Sequence, residues 1–475
     1  MSRAQPSSSG RPTAIDIAIV GGGWAGIAAA VELAQSGRTV TLFEAGPRLG
    51  GRARATTLRV GDLDLDVDNG QHLMIGAYRE TIALARRVGV RIIDAARAQH
   101  GEQRAWTGIV RHRLSLRSTD GLRLDAAPLP APWHLIAGLA RARGMSGRER
   151  LAMIRLMTRL RLAHWRVPDG ETVGALLERM RQPASLIARL WGPLALGALN
   201  TPLEVACAQT FATVLRDALG ARAEDSDFLI PTGNLSRALP DPAASWLQSR
   251  QADLRLRTTV RALSLGHGLW RLRTDAGDFD ARHAILAVPP WSARRLLTDA
   301  SLPEAARRCA AELATFEPES IATCYLSWSA GEVGALPPWI MLDDHSASGG
   351  MGQWLFDRGV QSGHRIATVV VSARGRHAGV TAAQLEASIS SQVARELALP
   401  PPAAAKVVVD KRATFRCVPD RPRIRSECAD PGRGIGDRGP RLLLAGDHAW
   451  PDYPGTLEAA VRSGLAAARC LTMPR

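Results

Sequence analysis

The 475-residue chain exceeds what one ordinary hydrophobic core absorbs, and its apolar fraction of 46% excludes a disordered chain. The formal net charge of +15 is almost wholly arginine, with lysine only at Lys406 and Lys411. Those arginines are spread along the chain without a basic-aromatic recognition module. They argue against nucleic acid as a partner and leave an anionic membrane surface as the better match.

The first predicted elements organise the rest. Ile15 to Val20 is a short, β-branched apolar run suited to a buried parallel strand. Gly21, Gly23 and Gly26 follow in the spacing G-x-G-x-x-G. The first glycine permits a tight turn, the second lets backbone approach a pyrophosphate, and the third lets helix and strand pack closely. Ala25 to Ala34 reads as a helix whose N-terminal amides face the phosphates, and Arg38 to Phe43 as the second strand. Glu44 closes that strand roughly 20 residues past the glycines, where a carboxylate accepts the hydroxyls of an adenosine ribose. Asp16 and Glu32 interrupt the apolar run, so this segment is not expected to be a signal peptide.

Gly50, Gly51 and Arg52 continue as G-G-R, with Arg54 just beyond. This run resembles the flavin amine oxidase and carotenoid desaturase superfamily, in which the arginine segment wraps the diphosphate of FAD. The resemblance implies an α/β fold: a Rossmann-like FAD-binding domain interleaved with an α+β substrate domain. The expected partition is a disordered tail over 1–13 and FAD-binding segments at 14–90, 226–300 and 436–475. Substrate segments are expected at 91–225 and 301–435.

Further along, Leu58 to Val67 alternates as a hairpin edge does. Then comes Asp68-Asn69-Gly70-Gln71-His72, followed by a helix with Tyr78, Ile82, Leu84 and Val88 on its apolar stripe. The DNGQH run and the Gly76-Ala77-Tyr78-Arg79-Glu80-Thr81 after it resemble the squalene-associated FAD-dependent desaturases, also called hydroxysqualene dehydroxylases. In the superfamily this segment returns to the flavin, which implies that Gly70 lies beside the ring. From Trp106 to Leu129 alternation suggests strands of a second domain. Pro132 to Arg166 mixes Trp, Leu, Ile and Met with many arginines and a single carboxylate, Glu149. Two helices broken near Gly144-Met145-Ser146 fit it, each with an apolar and a cationic face, as at a membrane interface or on a protein surface.

Helices are expected from Glu171, over Ile187 to Leu199, and from Glu204. Phe228 to Leu235 marks the return to the cofactor domain, with a helix over Ser236 to Ser249 and a strand LRLRTTV ending at Val260. The resemblance places Val260 against the adenine. Strands are expected at Leu269 to Arg273, Phe279 to Val288, ESIATCYLSW, HRIATVVVSA and KVVVDKRATF, with a helix over Ala382 to Leu397. Leu442 to Leu444 is a buried strand delivering Gly446 and Asp447, and the last helix begins near Thr456 and Leu457. By resemblance Asp447 meets the ribityl-pyrophosphate region, and the helix N-terminus faces the flavin's pyrimidine edge, where its dipole favours negative charge.

The six cysteines show no C-x-x-C pair, which excludes a zinc or disulfide framework and fits reduced thiols in a cytoplasmic protein; no metal site is expected. No cysteine lies between His448 and Glu458, so FAD is expected to be non-covalent. The resemblance implies reductive loss of the hydroxyl of hydroxysqualene, giving squalene. The alcohol needs an acid to leave, and His72, Asp68 and Asp452 are the candidates, His72 first. A carotenoid-type desaturase, an amine oxidase and a non-catalytic flavin-binding subunit are the alternatives. The expected partner is a small isoprenoid, with a peripheral site on the inner face of the cell membrane. No run approaches ~20 uninterrupted apolar residues, and no second nucleotide motif reveals the electron donor.

Overall fold

The computed structural model describes residues 14–95, 108–344, 349–373, 378–430 and 439–472. The expected tail over 1–13 and the start of the run from Trp106 lie outside them. The strand Ile15–Val20 is the spine of a seven-stranded sheet. It pairs in parallel with Val40–Phe43 on one side and Gly277–Leu286 on the other. Asp253–Arg255 extends the first edge, and Leu442–Leu444 lies parallel to Gly277–Leu286. An antiparallel extension, Val260–Gly266 with Leu269–Thr274, completes the sheet. Thus segments from the start, middle and end of the chain share one sheet.

Val40–Phe43, Leu442–Leu444 and the second half of Ile15–Val20 are buried on both faces and near-continuous in apolar residues, as central parallel strands are. The helix Trp24–Gln35 covers one face and packs against the last helix, Leu457–Thr472. Small residues set that approach. A Cβ on Gly464 would stand 2.2 Å from the Ala25 carbonyl oxygen; where the first helix meets the preceding turn, one on Gly26 would stand 1.9 Å from that of Gly21.

A five-stranded antiparallel sheet forms the second body, in the order Trp339–Met341, Trp354–Gln361, His364–Ser372, Pro318–Ser329, Ala404–Phe415. Helices Trp133–Ala140, Gly147–Leu162, Val173–Arg179, Gly192–Leu199 and Ala208–Leu219 pack beside it around a large apolar cluster. A four-stranded sheet joins Met74–Ile75, Phe228–Pro231, Gly108–His112 and Arg91–Asp94. It draws strands from both sides of the expected boundaries at 90 and 225, so the two bodies are laced together more tightly than a division by sequence suggests.

Local expectations differ from the structure where proline or short strands intervene. The helix expected over Ser236 to Ser249 is two, Leu235–Ala238 and Pro240–Gln248, because Pro240 has no amide to continue the first. The helix expected from Glu204 starts only at Ala208. LRLRTTV is not one strand: Asp253–Arg255 ends before Arg257, whose φ is +53°. Strands Trp339–Met341 and Trp354–Gln361 carry weak alternation and escape the sequence reading.

Replacing Gly464 by Ala should force apart the first and last helices, at a cost of about 1–3 kcal/mol. Urea unfolding of the purified protein should give a lower midpoint with an unchanged slope; an unchanged midpoint would mean the helices yield freely.

Candidate functional site

The turn after Ile15–Val20 builds the first part of the site. Gly21 sits at φ +107°, and a Cβ there would be 2.4 Å from the Ala287 carbonyl oxygen. Gly51 approaches Gly23 so closely that a Cβ would lie 3.0 Å from the Gly23 Cα. These bare backbones open onto a cavity of about 470 Å³, which leaves room for a phosphate against the amides at the start of Trp24–Gln35. Glu44 lines the same cavity, its carboxylate oriented by the amides of Gly22 and Gly46, each at 2.7 Å.

Arg52 crosses to the other end of the chain. Its guanidinium donates to Asp447 at 2.8 Å and to the Ala413 carbonyl at 2.8 Å. Burial alone would raise the Asp447 carboxyl; the Arg52 guanidinium, with His448 beside it, outweighs burial and holds it well below the usual carboxylate range. Asp447 therefore stays ionised at the cavity wall. Thr456 caps the last helix by accepting from the Ala459 amide at 3.2 Å, so the helix N-terminus points into the cavity.

Of the expected cofactor residues, Gly21, Gly23, Glu44, Gly51, Arg52, Gly70, Val260, Gly446, Asp447, Thr456 and Leu457 all line this cavity. Gly26 does not; it sits behind the turn as the helix–strand contact. The three candidate acids separate. His72 lines the cavity, its Nδ1 3.2 Å from the Gly70 carbonyl oxygen. Burial pushes its imidazole below its ordinary value, opposed by the nearby Asp68.

Asp68 is buried away from the cavity. It accepts from the Leu235 amide and faces Arg358 at 3.4 Å, which fastens the Leu63–Asp68 strand to the helix Leu235–Ala238. Asp452 is exposed and paired with Arg423. Sequence proximity to Asp447 does not bring it inward: its neighbours Pro451 and Tyr453 are buried, and it alone of the three is exposed. Neither aspartate lines either cavity, whereas His72 does.

A second cavity, of about 480 Å³, adjoins the first. Gln71, Leu73, Tyr78, Gly197, Ala198, Ile321 and Thr456 line both, so they form a junction between the space that carries the charged side chains and a mainly apolar one. Trp191, Phe211, Phe228, Trp354 and Phe356 supply much of its aromatic wall. Its few polar groups include Tyr453, whose hydroxyl donates to Asp217. Sequence reasoning passed over Tyr78, Gln71 and Tyr453 as site residues; the first two are neighbours of His72, which was the available signal.

Comparison with known proteins fits this geometry. The family described as flavin containing amine oxidoreductase matches residues 24–472. The chain belongs to that family. It is an FAD-dependent oxidoreductase, and the bare glycine backbones, the Glu44 carboxylate and the Arg52 guanidinium lining the cavity are groups of the kind that hold a dinucleotide. Hydroxysqualene dehydroxylases are similar over nearly their full length. The protein of Zymomonas mobilis is 24% identical over 95% of this chain and 97% of its own. That of Rhodopseudomonas palustris is 28% identical over 95% and 96%. Among solved structures, cyclohexylamine oxidase from Brevibacterium oxydans superposes with a TM-score of 0.65 at 16% identity, covering 97% of this chain and 99% of that one. A putrescine oxidase gives 0.64 at 18%, covering 96% and 98%. These last two attest the fold.

Replacing Arg52 by Ala removes a charge-assisted contact of about 1.5–3 kcal/mol and leaves Asp447 buried without its cation. FAD affinity, measured by flavin fluorescence titration, should fall roughly 10- to 100-fold. The D452N protein should bind FAD as the wild type does; equal loss in both would place the effect in folding.

Proposed function

We propose that this flavoenzyme reductively removes the hydroxyl of hydroxysqualene to give squalene. The observation that carries the reading is the junction, where the cavity lined by the charged side chains opens directly into a mainly apolar one. Full-length similarity to the hydroxysqualene dehydroxylases supports the same substrate class. Trp450 lines neither cavity, and the Asp217 carboxylate in the apolar one is engaged by the Tyr453 hydroxyl.

FAD, when bound and reduced, supplies the electron pair for replacing the C–O bond by C–H. The protein's contribution is position, dryness and a proton. The apolar walls hold a hydrocarbon chain and keep water from an allylic cation as the hydroxyl leaves. We assign the proton to His72. With its Nδ1 held toward the Gly70 carbonyl, the protonated ring presents Nε2–H toward the cavity, and the departing oxygen takes that proton and leaves as water. We also propose that Gly70 and Thr456 position the ring system, that Val260 borders the adenine, and that Glu44 holds the ribose. The reducing partner is a separate electron donor, and the enzyme works at the periphery of a membrane.

Turnover with a chemical reductant, followed by lipid extraction, should yield squalene from hydroxysqualene; product from a polyene precursor or an amine, with the alcohol untouched, would overturn the reading. The active form of His72 is the imidazolium, and its folded pKa lies below the ordinary 6.5. Activity should therefore fall as pH rises through a point below 6.5. The H72Q protein should retain FAD and lose about 10²–10⁴-fold in turnover together with that pH dependence. An unchanged profile would remove His72 from the proton path.

A further inference from the structure

Among the described residues, eight large apolar side chains stand exposed, and six of them fall between Leu129 and Leu162. Leu162 is 75% exposed, Leu151 68% and Trp133 60%. The helix Gly147–Leu162 explains why this is not ordinary packing. Its inward stripe, Ala152, Leu156 and Leu160, already fills the core. A second apolar stripe, Leu151, Ile154 and Leu162, recurs at helical spacing on the outward side.

Charge on the same face has one sign. Arg141, Arg143, Arg148, Arg159, Arg161 and Arg166 are exposed, and among the described residues none has a carboxylate within ion-pair distance. The segment's single carboxylate, Glu149, is buried, where it serves the capping box at Ser146 and accepts from Ser185. Elsewhere on the surface arginines are commonly paired, as Arg123 is with Asp125 and Arg179 with Glu171.

The patch is also continuous with the substrate cavity. Ile136 and Ile154 are exposed and line the apolar cavity, as does Arg161, so the gap between the helices Trp133–Ala140 and Gly147–Leu162 is its mouth. A mouth rimmed by exposed leucine, isoleucine and tryptophan, with a ring of unpaired guanidinium groups, matches a lipid interface. The apolar side chains enter the acyl boundary while the guanidinium groups meet anionic headgroups.

We propose that the helix pair Trp133–Ala140 and Gly147–Leu162 docks the protein on an anionic bilayer and opens the apolar cavity directly to the acyl region. The substrate then moves from lipid to protein without crossing water. The nature of that substrate rests on the function proposed above; the docking itself does not.

The test is co-sedimentation of the FAD-loaded protein with vesicles, one set of phosphatidylcholine alone and one containing phosphatidylglycerol. The wild type should bind the anionic set at least about tenfold more tightly, and added salt should weaken that binding. The triple variant Trp133→Gln, Leu151→Gln, Leu162→Gln touches no cavity-lining residue. It should lose at least about tenfold in vesicle affinity while keeping its flavin and its turnover in detergent micelles. Equal binding by variant and wild type, or none by the wild type, would overturn the proposal. So would a lipid-free wild-type dimer that becomes a monomer in the variant, since the patch would then meet a second copy. Vesicle binding without dehydroxylation would instead remove the substrate reading and leave the docking standing.

Discussion

The carboxylate of Glu458 is fully buried, and the geometry of the site depends on it. It accepts from the Thr81 amide at 3.0 Å, the Thr81 hydroxyl at 2.8 Å and the Glu80 amide at 3.2 Å. It therefore caps the helix Arg79–Arg87 from outside, where free amides and the helix dipole favour an anion. Arg462, one turn along the last helix, closes the set at 2.7 Å and stands 4.6 Å from the Tyr453 ring centre. A buried carboxylate without these partners would cost several kcal/mol, so the contact fixes the two helices in one arrangement. That arrangement sets Tyr78 beside Thr456 and brings the Gly70 to Leu73 segment across the cavity from the last helix.

Two further ties stretch over long sequence separations and act in the same direction. Arg52 reaches Asp447, and Tyr325 donates to the Asp68 carbonyl while accepting from the Gly70 amide. The first joins the N-terminal and C-terminal parts of the chain across the wall of the first cavity. The second presses the five-stranded sheet onto the segment that carries His72. Together they make the junction a rigid meeting of the two bodies rather than a gap between them, as an oriented reaction between cofactor and substrate demands. Polarity divides at that junction: Glu44, Arg52, His72, Asp410 and Asp447 line the first cavity, while tryptophan, phenylalanine and leucine dominate the lining of the second.

Much of this was legible in the sequence, for physical reasons. The glycine turn is written in residue types because only glycine tolerates the approach of Ala287 to Gly21. Glu44 and Asp447 follow short apolar strands, and a buried parallel strand announces itself by its unbroken run. The amphipathic segment 132–166 was readable as two helices because both faces differ so sharply. What escaped depended on contacts between distant elements. Nothing in TLEAAVRSG says that Glu458 faces Thr81 rather than solvent. Asp452 looked like a site residue because it follows Asp447 closely, yet it is exposed and paired with Arg423. The wall residues Trp354 and Phe356 lie on a strand whose first three residues are all buried and apolar and whose remainder is half-buried, so it shows no alternation.

The central claim is that the two cavities form one reaction space. Its most direct measurement is anaerobic: reduce the protein-bound FAD chemically, add hydroxysqualene, and follow the flavin absorbance while lipids are extracted. Reoxidation of the flavin with one squalene formed for each FAD would establish that substrate and cofactor meet at the junction. A flavin that stays reduced, with the alcohol recovered intact, would contradict it.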